Sequence, residues 1–184
     1  MAKETIRRLE SQSPHVAVYL VELVPQLAGF SITKTNCAAH LQLRLEQGAL
    51  PFWYKENLLN IGVERLLPLD WKAVAWVYSD VEFDDPLWAL HALKLLNGVK
   101  DSVQLFSHAI FLDENSHTKR TFTGYAYNYV YGLQYEGYGN DLWHPGFGWA
   151  YSRQTYEQMG GFYEREISGL GDGIMAHSLR GGFD

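Results

Sequence analysis

The chain has 184 residues, of which 47% are hydrophobic and 20% are charged, and its formal net charge is −6. This composition excludes global disorder, and it excludes attraction of nucleic acid or anionic membranes by bulk charge. We therefore expect no nucleic-acid partner. The length suits one domain, which we expect to span residues 1–184.

The only cysteine, Cys37, excludes an internal disulfide and favours a reducing compartment. The apolar stretches are too short to cross a bilayer, and the first residues lack the apolar core of a secretory signal. We therefore expect a cytoplasmic protein without a membrane span. Cys37 has no recognisable base partner and is expected to be a buried thiol.

Apolar periodicity predicts helices that alternate with strands along the chain. The predicted helices are residues 2–12, Trp53–Leu67, Leu87–Leu96, a helix from a Ser152 cap to Met159, and Gly173–Leu179. The predicted strands are His15–Val24, Leu41–Leu45, Ala73–Tyr78, Val103–Phe106, Ala109–Leu112 and Phe147–Tyr151. Ser13 and Pro14 are expected to end the first helix, and the polar residues 113–120 to form a surface loop.

The run Ala73–Tyr78 is apolar throughout, which is typical of a central strand covered on both faces. The acidic loop, helix and strand that follow it predict a βαβ unit with a parallel pair. Together these elements predict an α/β fold of three layers with a mixed sheet and Ala73–Tyr78 at its centre.

Two carboxylates, Asp80 and Glu82, follow this strand directly. In an extended segment this spacing points both side chains the same way, at the sheet edge where ligands bind in α/β folds. Carboxylate oxygens suit a hard divalent cation such as Mg²⁺ or Mn²⁺. The alternative is a solvated acidic turn in which Asp85 caps the next helix.

Aromatic residues make up 15% of the chain and cluster in its later part. They form either a large aromatic core or a groove for sugars, whose C–H faces stack on rings. His144 precedes a Pro-Gly turn, which either projects the imidazole into a cleft or leaves it packed and satisfied by the backbone.

Several weak motifs together resemble GT-A-fold glycosyltransferases. Residues 71–83 resemble the strand and metal-binding turn of that family, and residues 53–62 resemble the helix before it. The Trp143–Trp149 segment and the Gly160–Glu164 segment, followed by Gly169–Asp172, are similar to the acceptor side of galactosyltransferase-like members. The resemblance covers residues 15–181 and lies in the order and spacing of these motifs.

The resemblance implies a reduced GT-A fold and transfer of a sugar from a nucleotide-diphosphate donor to a hydroxyl of a carbohydrate acceptor. It implies that Asp80 and Glu82 hold Mn²⁺ or Mg²⁺, that Asp172 is the general base, and that Lys55 and Asn60 face the donor. The implied acceptor-binding residues are Trp143, His144, Phe147 and Trp149. We expect Asp80, Glu82, His144 and Asp172 to converge on one cleft.

The chain also departs from the family. Tyr78 stands where the family's D-x-D motif has its first Asp, and both ends of the domain appear trimmed, with no opening strand. An inactive carbohydrate-binding or scaffold protein of the same fold is therefore the alternative. A metal-dependent phosphoesterase using Asp80, Glu82, Asp84 and Asp172 is a third possibility, supported only by the number of acids. The open sheet edge predicts a homodimer.

Overall fold

The computed structural model describes residues 2–12, 16–49, 52–135, 141–166 and 168–180. Its helices are α1 (Ala2–Gln12), α2 (Lys55–Leu66), α3 (Trp88–Leu96), α4 (Tyr125–Val130), α5 (Arg153–Met159) and α6 (Gly171–Leu179). Its strands are β1 (Leu20–Val24), β2 (His40–Arg44), β3 (Ala73–Val77), β4 (Ser102–Gln104), β5 (His108–Leu112), β6 (Thr118–Thr123) and β7 (Gly148–Ser152). The expected break at Ser13 and Pro14 and the expected strand start at His15 lie outside the described residues.

Most helices agree with the sequence pattern because local signals set their ends. The Ser152 side chain accepts a hydrogen bond from the Thr155 N–H, as an N-cap does, and Gly160 ends α5 in the left-handed conformation with φ 71°. The pattern did not predict α4, because this segment is rich in tyrosine and has no apolar periodicity.

The described strands form three small sheets, so the fold class is mixed α/β. β1 and β2 form a parallel pair, β5 and β6 form an antiparallel hairpin, and β3, β7 and β4 form an antiparallel sheet in that order. The loop expected over residues 113–120 is shorter than predicted, because β6 begins at Thr118.

The prediction that β3 is the central strand was wrong. In the part of the chain that the structure describes, β3 is an edge strand and β7 lies at the centre. β3 and β4 each run antiparallel to β7 and hence parallel to one another, as the predicted βαβ unit requires, but β7 lies between them. A continuous apolar run predicts how the faces of a strand are covered and carries no information about its two edges. Even the coverage is incomplete here, since Ala75 is exposed.

Apolar side chains pack on both faces of the β3–β7–β4 sheet, although Ala75 of β3 is exposed. On one face, Ala150 of β7 packs with Ala92 and Leu96 of α3. The other face carries a larger aromatic core to which α2 and α6 contribute. Its buried members are Val63, Trp76, Tyr125, Trp143, Trp149, Tyr151, Phe162, Met175 and Ala176.

Two further expectations concern the surface. Cys37 is exposed, so the expectation of a buried thiol was wrong; it lies in the segment without helix or strand that precedes β2. Among the described residues, no helix combines the length and the apolar character needed to span a membrane.

Candidate functional site

A cluster of buried and partly buried polar side chains surrounds Asp172 in the first turn of α6. Lys55, the first residue of α2, donates a hydrogen bond from Nζ to Asp172 Oδ1. Tyr78, which follows β3, donates from its hydroxyl to Asp172 Oδ2 at 2.9 Å. Three elements that are far apart in the sequence therefore meet at one carboxylate.

Lys55 lies between two carboxylates and an aromatic face. Its Nζ is 3.0 Å from Glu56 Oε1 and 4.1 Å from the centroid of the Trp76 ring. Only 16% of the Lys55 side chain is exposed. Burial of an ammonium group is costly unless it is paired, and here the two carboxylates and the ring supply that pairing.

Glu56 is 3% exposed and its carboxylate lies against the backbone of Gly171. A Cβ at position 171 would be 2.6 Å from Glu56 Oε1, so the carboxylate occupies space that any other residue would fill. Lys55 Nζ is within ion-pairing distance but outside hydrogen-bonding geometry, and neither Glu56 oxygen accepts a hydrogen bond from the described residues. The partly positive N-terminus of α6 favours such a negative charge.

The segment from Trp143 to Phe147 places His144 beside the cluster. Trp143 and Phe147 have φ values of 64° and 70°, which bulky residues rarely adopt and which mark backbone strain. The His144 ring stacks on Phe147 with centroids 3.9 Å apart. A Cβ on Gly146 would lie 3.1 Å from both Asp172 Oδ2 and His144 Cε1, so this glycine brings the segment close to Asp172.

Burial shifts the pKa values of two of these groups in the direction that favours the neutral form. Burial raises the pKa of Tyr78, and the negative charge of Asp172 and the hydrogen bond to it raise this pKa further. Burial also lowers the pKa of His144, although the charge of Asp172 opposes this effect. The Gly146 N–H donates to His144 Nδ1 at 3.1 Å, so Nδ1 carries no proton and the neutral ring has its N–H at Nε2.

The acidic turn after β3 has different surroundings. Asp80 is exposed, and its charge contributes to the raised pKa of Tyr78, so the two are within electrostatic reach. Glu82 forms an ion pair with Arg8 of α1, and the Thr5 hydroxyl of α1 donates to the Ser79 carbonyl. Helix α1 therefore lies against this turn.

Of the four residues expected to converge, the structure brings two into proximity. Asp172 and His144 lie together, whereas Glu82 pairs with Arg8. No group of three or more His, Cys, Asp and Glu residues that could hold a metal ion occurs in the described ranges. The turn thus offers the exposed Asp80, together with a Glu82 that already has a cationic partner.

Asn60 is not part of the cluster, because its amide is fully engaged elsewhere. Its Nδ2 donates to the Phe162 carbonyl and to Glu164, and its Oδ1 accepts from the Phe162 N–H and the Tyr156 hydroxyl. These bonds use the whole hydrogen-bonding capacity of the amide. Asn60 also borders an open pocket of about 530 Å³ between α2 and α5, whose lining includes neither Lys55 nor Asp172.

The four residues implied for acceptor binding fall into two groups. Trp143 and Trp149 are 2% and 4% exposed and belong to the aromatic core, with their indole N–H groups donating to the Gln134 and Pro145 carbonyls. Their rings are core residues with no face open to a ligand. His144 and Phe147 are only partly buried and stack on each other. Phe147 also meets the ring of Tyr78, whose hydroxyl is bonded to Asp172.

Sequence reasoning missed Glu56 and the direct partnership of Tyr78 with Asp172. Gly171, immediately before Asp172, was the available signal, because a glycine at that position indicates close approach of another group. The approaching group is 115 positions away in the chain, and no local pattern identifies it.

Comparisons of the chain with protein-family models, with curated proteins and with solved structures found no significant match. Function must therefore be inferred from the cluster around Asp172.

Proposed function

We propose that the protein transfers a sugar from a nucleotide-diphosphate donor to a hydroxyl acceptor, with Asp172 as the general base. The observation that supports this proposal is the position of Asp172. The residue that the GT-A resemblance implies as the base is also the carboxylate on which Lys55 and Tyr78 converge, with His144 beside it.

In this reaction Asp172 takes the proton of the acceptor hydroxyl. The acceptor oxygen forms a bond to the anomeric carbon of the donor sugar, and the bond from that carbon to the diphosphate oxygen breaks, with the electron pair leaving on the diphosphate. A base must lie within hydrogen-bonding distance of the proton that it removes. The Nε2–H of the neutral His144 ring can orient the same hydroxyl, and Lys55 neutralises one of the two negative charges of the cluster.

The cation that the resemblance implies fits this chain only together with its donor. Mg²⁺ commonly takes one or two protein carboxylates and completes its shell with substrate phosphates and water. Asp80 is exposed and suits that arrangement, whereas Glu82 would have to leave Arg8. Such a cation would stabilise the negative charge of the leaving diphosphate.

Incubation of the protein with a panel of nucleotide sugars, simple glycoside acceptors and Mn²⁺ tests the proposal, with the product detected by mass spectrometry. We expect Asp172→Asn to reduce transfer at least about 100-fold, because general bases contribute rate factors of this size. Asp70→Asn is the matched control, since Asp70 is exposed and precedes the start of β3, whereas Tyr78 and Asp80 follow the end of this strand. Absence of transfer by the wild-type protein with every donor would overturn the proposal.

Two observations favour a second candidate, a carbohydrate-binding protein without transfer activity. Tyr78 stands at the position where the family has the first Asp of its D-x-D motif, and its hydroxyl donates a hydrogen bond to one oxygen of Asp172. Arg8 already neutralises Glu82. Calorimetric titration distinguishes the candidates. Heat from a simple glycoside that needs neither Mn²⁺ nor nucleotide, without product formation, supports the binding protein.

A further inference from the structure

Four phenylalanine rings extend the candidate site from Asp172 toward solvent. The Tyr78 ring, whose hydroxyl is bonded to Asp172, meets Phe147 edge-on with centroids 5.9 Å apart. Phe147 in turn contacts Phe106, Phe111 and Phe122 at centroid distances of 5.4, 5.6 and 6.0 Å. We call Phe106, Phe111, Phe122 and Phe147 the phenylalanine track.

The track reaches the surface on one face of the β5–β6 hairpin. In this antiparallel pair Ala109 lies opposite Phe122 and Phe111 lies opposite Arg120, so these four residues share a face. Ile110 points to the other face. Phe111 is 44% exposed at the outer end of the track, whereas Phe147 at the inner end is partly buried beside His144.

The track lacks the groups that a sugar needs. Sugar subsites combine a ring face with polar groups for the hydroxyls, and tyrosine or tryptophan supply both. All four rings here are phenyl groups without a polar edge. The guanidinium of Arg120 lies over Phe122 at 4.8 Å from the ring centroid but is already ion-paired with Asp141. The track therefore suits an alkyl or aryl group better than a second sugar unit.

We infer that the acceptor carries an apolar group, alkyl or aryl, which lies along the phenylalanine track while its hydroxyl lies at Asp172. This inference rests on the proposed function and specifies its acceptor class. Continuity of the rings from Tyr78 to Phe111 supports a single amphipathic ligand, because the polar and apolar parts of the surface join at Phe147 and His144.

Calorimetric titration with matched glycosides tests the inference. The probes are methyl and hexyl β-glucoside, methyl and hexyl β-galactoside, and hexan-1-ol, each below its aggregation concentration. Burial of part of a hexyl chain predicts that the hexyl glycosides bind roughly tenfold more tightly than their methyl counterparts. We expect Phe111→Ala to remove this preference and Ile110→Ala to keep it, because Ile110 is 54% exposed on the opposite face of the same strand.

The remaining outcomes decide against the inference. Equal binding of methyl and hexyl glycosides overturns it and leaves the proposed function intact. Binding of hexan-1-ol as tight as that of the hexyl glycosides, or an equal loss in both variants, shows a nonspecific apolar surface and overturns it. If no glycoside binds, the inference also fails, and the transfer assay with nucleotide sugars decides the proposed function separately.

Thermal melting of both variants checks that each is folded, and saturation-transfer NMR from the protein to the hexyl protons must show contact in the wild type.

Discussion

The cluster around Asp172 and the acidic turn after β3 use the same chemistry in different surroundings. In the cluster, the buried carboxylates of Asp172 and Glu56 share the ammonium group of Lys55. In the turn, Glu82 has a side chain that is 66% exposed and pairs with Arg8. Charges interact strongly where water is excluded and weakly where it screens them. Loss of the Lys55 ion pairs should therefore lower the free energy of unfolding much more than loss of the Arg8–Glu82 pair.

The largest effect should come from removing the cation of the cluster. Lys55→Met leaves two buried carboxylates together without a counter-charge, and we expect it to lower the free energy of unfolding by about 3–5 kcal/mol. Urea denaturation at pH 7 measures this change. Lys72→Met, at an exposed lysine before β3, is the control and should change stability by less than about 0.5 kcal/mol. A loss below about 1 kcal/mol for Lys55→Met would break the contrast between the two regions.

An intermediate effect should come from the Tyr78 hydroxyl. Tyr78→Phe removes its hydrogen bond to a charged acceptor, which we expect to cost about 2 kcal/mol at pH 7. The pKa of Tyr78 is raised above its usual 10.0, so the folded state retains the phenol proton after the unfolded state has lost it. This contribution is therefore fully present below pH 10 and is lost as the pH rises beyond it.

Urea denaturation between pH 9 and pH 11.5 checks the sign of this dependence. Wild-type stability should fall above pH 10, and Tyr78→Phe should fall less steeply. Part of the slope should remain, because burial also raises the pKa of Tyr151. Identical slopes for the two proteins would show that Tyr78 is not held neutral by the cluster.

The smallest effect should come from the exposed pair. Arg8→Ala should lower the free energy of unfolding by less than about 1 kcal/mol, and 0.5 M NaCl should remove most of the difference. Arg7→Ala is a matched control, because Arg7 is on the same helix and pairs with Glu4. An Arg8→Ala loss that is larger than about 2 kcal/mol and independent of salt would place the turn in the same energetic class as the cluster.

The sequence predicts those parts of the fold that depend on contacts between neighbouring residues, because only such contacts produce a local sequence pattern. Helix α2 has periodic apolar positions, and α5 has a cap at each end, so both were predicted from nearby residues. The position of β3 in its sheet was not, because lateral pairing with β7 joins residues more than 70 positions apart. Apolar content records the covering of faces and leaves strand order open.

The same distinction holds for the candidate site. Asp172 and Lys55 were identified by motif order, and the structure brings them together. Trp143 and Phe147 stand in the same short segment, yet the first lies in the core and the second is partly buried against His144 and Tyr78. Both residues have a positive φ, so backbone conformation does not account for the difference. The difference lies in contacts with residues elsewhere in the chain, Tyr125 for Trp143 and Phe106 and Phe111 for Phe147, which local sequence does not predict.

The division of the strands into separate sheets has a consequence for local opening. The β1–β2 pair joins the rest of the molecule through α2, where Gly62 lets Val21 approach closely. A two-stranded sheet has little stability of its own, so β1–β2 can open at a free energy below that of global unfolding, as separately cooperative segments do in amide exchange. The cluster contains no residue of β1 or β2, and Lys55, at the start of α2, is bonded to Asp172 of α6. Fluctuations of β1–β2 can therefore occur while the polar cluster stays assembled.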